Sequence, residues 1–242
     1  MRTIRSFIEL ALQPERELIL PEMVSNHVIR VLRLEIDDVF HLFNGDGYDY
    51  PCRILSLEKR GARVLILEKI AVLNESPLRI HLYQSIARGE KMDWILQKST
   101  ELGVAEFTPI VSDRTEVKLE GERSDKKLAH WQGVVRSACE QSGRAMVPAV
   151  NPAVAIHRID AGGITSAYYL QPDATDGISE LTIPDDGKLV LAIGPEGGFT
   201  ERDIRLLQTA GFKGLRIGPR VLRTETAGIA VTAALQSHYG DW

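Results

Sequence analysis

Two stretches near the C-terminus place glycine, proline and arginine where strand-like apolar runs stop. Ile193-Gly194-Pro195-Glu196-Gly197-Gly198-Phe199 ends one run, and Ile217-Gly218-Pro219-Arg220-Val221-Leu222-Arg223-Thr224-Glu225-Thr226-Ala227 ends another. Glycine lets a ligand approach the backbone closely, and proline removes a donor while fixing φ. Such loops offer carbonyls, amides and little side-chain bulk, which suits a flat heteroaromatic ligand such as an adenosine. In open α/β folds, ligands settle in the crevice at the carboxyl ends of strands. Thr224 suits an N-cap and Glu225 a first helical turn. Arg220 and Arg223 precede that same helix start, where the dipole disfavours cations. An anionic partner such as a phosphate would offset the cost.

Other chemistries lack their signatures. No Gly-Lys-Ser/Thr follows either break, and neither is a G-x-G-x-x-G turn with its acidic ribose partner. The 6 histidines, at 27, 41, 81, 130, 157 and 238, show no ligand spacing, so no metal is expected. His41 and His81 fall in strand candidates and read as core or edge residues. The 2 cysteines, Cys52 and Cys139, form no C-x-x-C pair and fit a reducing, cytoplasmic setting. The formal net charge of -4 withholds the bulk argument for nucleic-acid binding, so any such contact must come from local basic patches. No signal-type block follows Met1, and no apolar run has the length of a membrane span.

The elements that must position these loops fall into two parts. Residues 1–73 read mostly as β: Val39–Phe43, the turn Asn44-Gly45-Asp46-Gly47, a return strand over 48–55, and Arg63–Leu67. One helix over 21–32 interrupts them, with Val24, Val28, Ile29 and Leu32 on one face. Short strands and tight turns predict a small barrel. Asn74-Glu75-Ser76-Pro77 is the linker. Over 74–242 strands alternate with helices: strands at 79–87, 104–111, 167–170, 188–193 and 214–217, helices at 90–102, 124–141, 201–210 and 225–238. This alternation predicts a largely parallel sheet covered on both faces.

The two glycine-proline segments resemble the knot motifs of the SPOUT class of RNA methyltransferases. Arg88-Gly-Glu-Lys-Met-Asp93 with Gln97-Lys-Ser-Thr-Glu-Leu-Gly103, and Cys139-Glu-Gln-Ser-Gly-Arg144, are similar to blocks of the branch that methylates N3 of a uridine in 16S ribosomal RNA. The likeness runs over nearly the whole chain. It implies an α/β fold whose C-terminal trefoil-knotted parallel-sheet domain (74–242) follows a small β-rich PUA-like RNA-binding barrel (1–73). It also implies S-adenosyl-L-methionine as methyl donor, the small ribosomal subunit as partner, a homodimer, no membrane and a cytoplasmic location. By position, the cofactor is expected against Leu170, Gln171 and Pro172; Ile193, Gly194, Pro195, Glu196, Gly197 and Gly198; and Ile217, Gly218, Pro219, Val221, Leu222 and Thr226.

Methyl transfer to uridine N3 needs in-line geometry and loss of the N3 proton. Arg88, Arg220 and Arg223 are candidates to stabilise the developing anion. Glu225 or Glu196 could take the proton, although Glu225 reads equally well as a first-turn dipole partner. Arg2, Arg5, Arg30, Arg33 and Arg144 are candidate RNA contacts, with Arg30 and Arg33 neighbours on one helix face beside Asn26 and His27. Arg144 fits a phosphate contact, a dimer interface or a solvated helix end. Lys118, Arg123, Lys126 and Lys127 are interleaved with Glu116, Glu120, Glu122 and Asp125, and read as a solvated face. Two alternatives stand: a related SPOUT enzyme acting on tRNA or a ribose 2′-oxygen, and a non-catalytic RNA-binding or assembly factor.

Overall fold

A computed structural model describes residues 3–58, 61–116 and 121–242. It divides into two compact units: Met1–Glu75 with Arg136–Val147, and Ser76–Val135 with Pro148–Trp242.

The first unit is built on β1 (Arg5–Phe7), β2 (Glu17–Ile19), α1 (Glu22–Asn26), β3 (Val39–Phe43), β4 (Tyr48–Glu58), β5 (Gly61–Ile66) and β6 (Ile70–Ala71). The strand order is β1-β3-β4-β5-β2, with β6 also on β4. Only β1 and β3 pair in parallel. The expected turn joins β3 to β4: Gly45 and Gly47 have φ of 92° and 86°, conformations that favour glycine. Asn44 Oδ1 accepts from the Asp46 amide across it. Phe40, Leu42, Tyr50, Ile54, Val64 and Ile66 fill the core.

The helix expected over 21–32 is shorter. After α1 the chain widens into a π-turn over His27–Val31, closed by the Leu32 amide donating to the His27 carbonyl at 3.0 Å. The β-branched Val28, Ile29 and Val31 crowd a regular α-turn, and the wider turn still buries Val28 completely.

Polar burial ties the chain's start to its middle. The Arg5 guanidinium donates to Asp49 at 2.5 Å and to the carbonyls of Cys139 and Arg144 at 2.9 and 3.2 Å. It lies 4.4 Å from the Phe43 ring centroid. His41 Nδ1 is 3.1 Å from the other Asp49 oxygen. Arg144, also buried, is bound to Glu75 at 2.6 Å.

The second unit contains β7 (Arg79–Ser85), α2 (Lys91–Glu101), β8 (Glu106–Val111), most of α3 (Glu122–Ser142), β9 (Ala149–Val150), β10 (Val154–Ala155), β11 (Ala167–Leu170), β12 (Lys188–Ile193), α4 (Glu201–Thr209), β13 (Lys213–Leu215) and α5 (Thr224–Tyr239). The sheet order is β10-β8-β7-β12-β11-β13, with β9 beside β8, and every pairing is parallel. Five consecutive residues of β12, Leu189 to Ile193, are buried, as a strand covered on both faces requires. In α2 the buried residues Met92, Ile95, Leu96, Ser99 and Thr100 form one helical stripe. In α5 the stripe is Thr224, Gly228, Val231, Thr232, Leu235 and Gln236. Gly228 lets α5 lie close to β7, since a Cβ there would stand 3.3 Å from Gln84 Oε1. No helix of the described residues is long and apolar enough to cross a membrane.

Candidate functional site

Three neighbouring parallel strands, β12, β11 and β13, end together at Ile193, Leu170 and Leu215. The two glycine-proline breaks are therefore not on adjacent strands; β11 separates them and supplies a third wall. Between the three ends lies a concave cleft, at the carboxyl ends of parallel strands where small-molecule ligands settle in open α/β sheets.

Of the residues expected at a cofactor, most line this cleft. They are Leu170, Gln171 and Pro172 after β11, Ile193 to Glu196 and Gly198 after β12, and Ile217, Gly218, Val221 and Leu222 after β13. Gly197, Pro219 and Thr226 do not line it. Phe199, Leu215, Arg216, Arg220, Thr224 and Ala227 do. Gly198 and Gly218, with φ of 70° and 142°, have no neighbouring atom within 4 Å of where a Cβ would stand. A side chain at either would project into open space, and its absence leaves bare backbone along the walls. Floor residues Leu170, Ile193, Leu222 and Ala227 are apolar. Bare peptide edges over an apolar floor fit a nucleoside.

The loops are held by specific bonds. Thr224 is the first residue of α5 and not its N-cap; Arg223 occupies that position, with no side-chain capping bond. The Thr224 hydroxyl instead donates to the Gly194 carbonyl at 2.6 Å and accepts from Gln84 Nε2 at 3.0 Å. It thereby joins the second break to the first, over a buried glutamine of β7. These sideways bonds were invisible in the sequence, because a threonine at a helix start suits an N-cap equally well. The first break is also braced from the loop after β8. Arg114 donates to the Gly197 carbonyl at 2.5 Å, and the Thr200 hydroxyl donates to Asp113 at 3.0 Å. Thr200 caps α4 reciprocally with buried Asp203.

Charge is concentrated at the rim. Arg220 and Arg223 are exposed, and neither guanidinium has an ion-pair partner among the described residues. Arg88 is ion-paired with Glu116, and its backbone amide donates to Glu196 at 3.3 Å. Lys91, absent from the expected set, is 3.4 Å from both Glu196 Oε1 and Glu225 Oε2. It sits in the first turn of α2, where a cation opposes the helix dipole, the same local signal that Arg220 and Arg223 carry before α5. Burial disfavours the Glu196 charge, but its own amide, the Arg88 amide and the Lys91 ammonium outweigh burial and hold that carboxyl below its ordinary range. Glu196 lines the cleft; Glu225 does not.

The expected RNA contacts divide. Arg2 lies outside the described residues, as do Lys118 and Glu120 of the basic stretch. Arg5 and Arg144 are corrected: both are buried, with guanidinium groups bonded within the chain, so neither presents a charge to a phosphate. Arg30 is exposed in the π-turn. Arg33 lies past the helix with φ of 55°, so the two do not share a helix face; the wide turn and early helix end displaced it.

The chain matches the family described as RNA methyltransferase domain over residues 74–236 and as RNA methyltransferase PUA domain over residues 20–67. It is 36% identical to ribosomal RNA small subunit methyltransferase E of Buchnera aphidicola (subsp. Schizaphis graminum), covering 99% of this chain and 98% of that protein. A Legionella pneumophila protein solved in complex with bound SAM superposes with a TM-score of 0.95 at 38% identity, covering 100% of both chains. Ribosomal RNA small subunit methyltransferase E of Neisseria gonorrhoeae, solved bound to S-adenosyl methionine, gives a TM-score of 0.92 at 38% identity over 99% of each chain.

Proposed function

The chain belongs to the RNA methyltransferase family, and from that premise we propose that it methylates N3 of a uridine in 16S ribosomal RNA of the small subunit. The fold is the knotted SPOUT α/β class behind a PUA-like domain, and the donor is S-adenosyl-L-methionine, as in the solved relatives. The carrying observation is the glycine-walled cleft at three parallel strand ends, lined by exposed Arg220 and followed three residues on by exposed Arg223, neither ion-paired among the described residues. Bound there, the donor would supply a methyl carbon on a sulfonium, open to displacement.

The chain's own groups have distinct tasks. Gly194, Gly198 and Gly218 present backbone to the ligand's edges, while Leu170, Ile193 and Leu222 cover its faces. Arg220 and Arg223 stabilise negative charge on the uracil oxygens, as preorganised donors do for an oxyanion. Arg88 stands at the same rim, bound to Glu116 until RNA phosphate competes for it; an exposed pair of this kind is worth about 0–1 kcal/mol. Glu196, ionised and lining the cleft, accepts the N3 proton as the new N–C bond forms. A weak carboxylate base suffices because the proton grows more acidic as carbon reaches nitrogen. Glu225 sits behind it in the first turn of α5. Residues 1–73 hold RNA, with Arg30 and Arg33 on phosphates, and residues 74–242 carry the transfer. The protein works in the cytoplasm as a homodimer; Val221, 80% exposed at the cleft rim, is an apolar side chain for a second copy to cover.

The decisive experiment incubates protein, methyl donor and small subunits from a strain lacking the modification, then digests the RNA to nucleosides. N3-methyluridine is the expected product. A 2′-O-methylated nucleoside or methylated tRNA would replace the reading with its nearest enzymatic alternative. No binding of donor by calorimetry would leave only an RNA-binding factor.

A further inference from the structure

The Lys91 ammonium is 3.4 Å from Glu196 Oε1 and the same distance from Glu225 Oε2. One cation thus spans two carboxylates from different segments: the loop after β12 and the start of α5. Glu225 Oε2 is buried and lacks a hydrogen-bonding partner among the described residues, so at this distance the ammonium serves it as a counter-charge without hydrogen-bond geometry. The side chains of Glu225 and Lys91 are only 18% and 33% exposed. Without Lys91, two carboxylates would face each other within twice the ion-pair distance, and like charges so close favour protonation of one of them. A cation in the first turn of α2 is held against the helix dipole, a local cost that needs a compensating task.

We propose that Lys91 is a positioning residue for methyl transfer: it holds Glu196 at the cleft, ionised and in place, by bridging it to Glu225 at the start of α5. The inference rests on the assignment of Glu196 as proton acceptor. The other groups around Glu196 are few. The Arg88 and Glu196 backbone amides donate to it. The Arg88 guanidinium is turned to Glu116, Arg114 is bonded to the Gly197 carbonyl, and Arg220 stands across the cleft on the second loop. Lys91 is therefore the side-chain cation that both carboxylates share. Bringing the two loops into one arrangement is also what in-line transfer demands, since a misplacement of about 1 Å can cost on the order of a hundredfold in rate.

The test compares wild type, Lys91→Met, Lys91→Arg, Glu196→Gln and the Lys91→Met/Glu196→Gln double variant in single-turnover methylation of small subunits across pH. Donor affinity is measured by calorimetry in parallel. Lys91→Met is expected to lower the transfer rate on the order of tenfold to a hundredfold, to move the acid limb of the pH profile to higher pH, and to leave donor affinity within about threefold. Lys91→Arg should recover most of the rate and restore the acid limb. In the Glu196→Gln background, Lys91→Met should change little further. A residue that only supported folding would leave the acid limb in place. If Lys91→Met does not fold, Lys91→Gln carries the same measurements. An unmoved acid limb, a rate within twofold of wild type, or full loss persisting in the Glu196→Gln background overturns the proposal while the enzyme assignment stands. Absence of methyl transfer by the wild type overturns the assignment itself.

Discussion

Thr224→Val removes a hydroxyl and keeps the side chain's volume, so it isolates two hydrogen bonds. Thr224 is buried, donating to the Gly194 carbonyl at 2.6 Å and accepting from Gln84 at 3.0 Å. Gln84 Nε2 keeps its bond to the Ser85 carbonyl, so the greater loss falls on Gly194, whose carbonyl loses its hydroxyl partner. A neutral bond contributes about 1 kcal/mol net, and a buried group left unpaired costs about 1–3. The sum is about 2–4 kcal/mol against the second unit. Domains of 150–250 residues lose ~2–4 °C per kcal/mol, so the calorimetric transition of that unit should fall by roughly 4–16 °C. About 1–2 kcal/mol of this should also appear as weaker donor binding, because Gly194 walls the cleft; that is roughly 5- to 30-fold in Kd. Thr224→Ser keeps the hydroxyl and should retain most of the affinity. If Thr224→Val melts with wild type and binds donor within twofold, the two breaks are not coupled through this residue, and the reasoning fails.

Three further expectations follow from groups described above. Arg223→Ala should reduce methyl transfer on the order of 10²–10³ and leave donor affinity within about threefold; equal losses in both would mean the arginine only shapes the loop. Asp49 is held below its ordinary range because hydrogen bonds from His41 and Arg5 outweigh the opposing effect of burial. Its contribution should therefore be complete above about pH 4, the unfolded value, and be lost as pH falls through the lower folded value. Asp49→Asn should cost the first unit about 3–5 kcal/mol at neutral pH, as breaking a buried pair does, and should flatten that acid limb in circular dichroism. Burial pushes both Cys52 and Cys139 up to about 12. At pH 8 that leaves on the order of one thiolate in ten thousand, so native protein should resist a thiol reagent that labels both residues after unfolding.

Much of the second unit was legible because its signals are local. The buried run Leu189 to Ile193 reads as an interior strand, and the spacing of Met92, Ile95, Leu96 and Ser99 reads as a helix. Glycine and proline mark the loops around the cleft because backbone conformation demands them there. Strand neighbours are another matter. Nothing in the chain's periodicity says that β11 lies between the two breaks, and the two-residue strands β9 and β10 carry no pattern at all. Arg5 and Arg144 were misread for a physical reason. Arginines are seldom buried, and burial here depends on Asp49, Glu75 and backbone carbonyls that are distant in sequence. Lys91 lay inside a recognised block, yet its two carboxylates come from residues more than a hundred positions away.

The Arg5 network also constrains the order in which the protein can be made. Its guanidinium needs acceptors at Cys139 and Arg144, and the first compact unit includes Arg136–Val147. On a ribosome, residues up to Glu75 emerge with Arg5 and Asp49 in place but with two of the guanidinium's acceptors, the carbonyls of Cys139 and Arg144, not yet synthesised. At roughly 5–20 residues per second, several seconds pass before they exist. The N-terminal unit therefore cannot complete itself vectorially. It waits, with Arg5 solvated or paired to Asp49 alone, until much of the parallel-sheet sequence has already left the tunnel, and a fragment cut at Glu75 would remain permanently in that unfinished state.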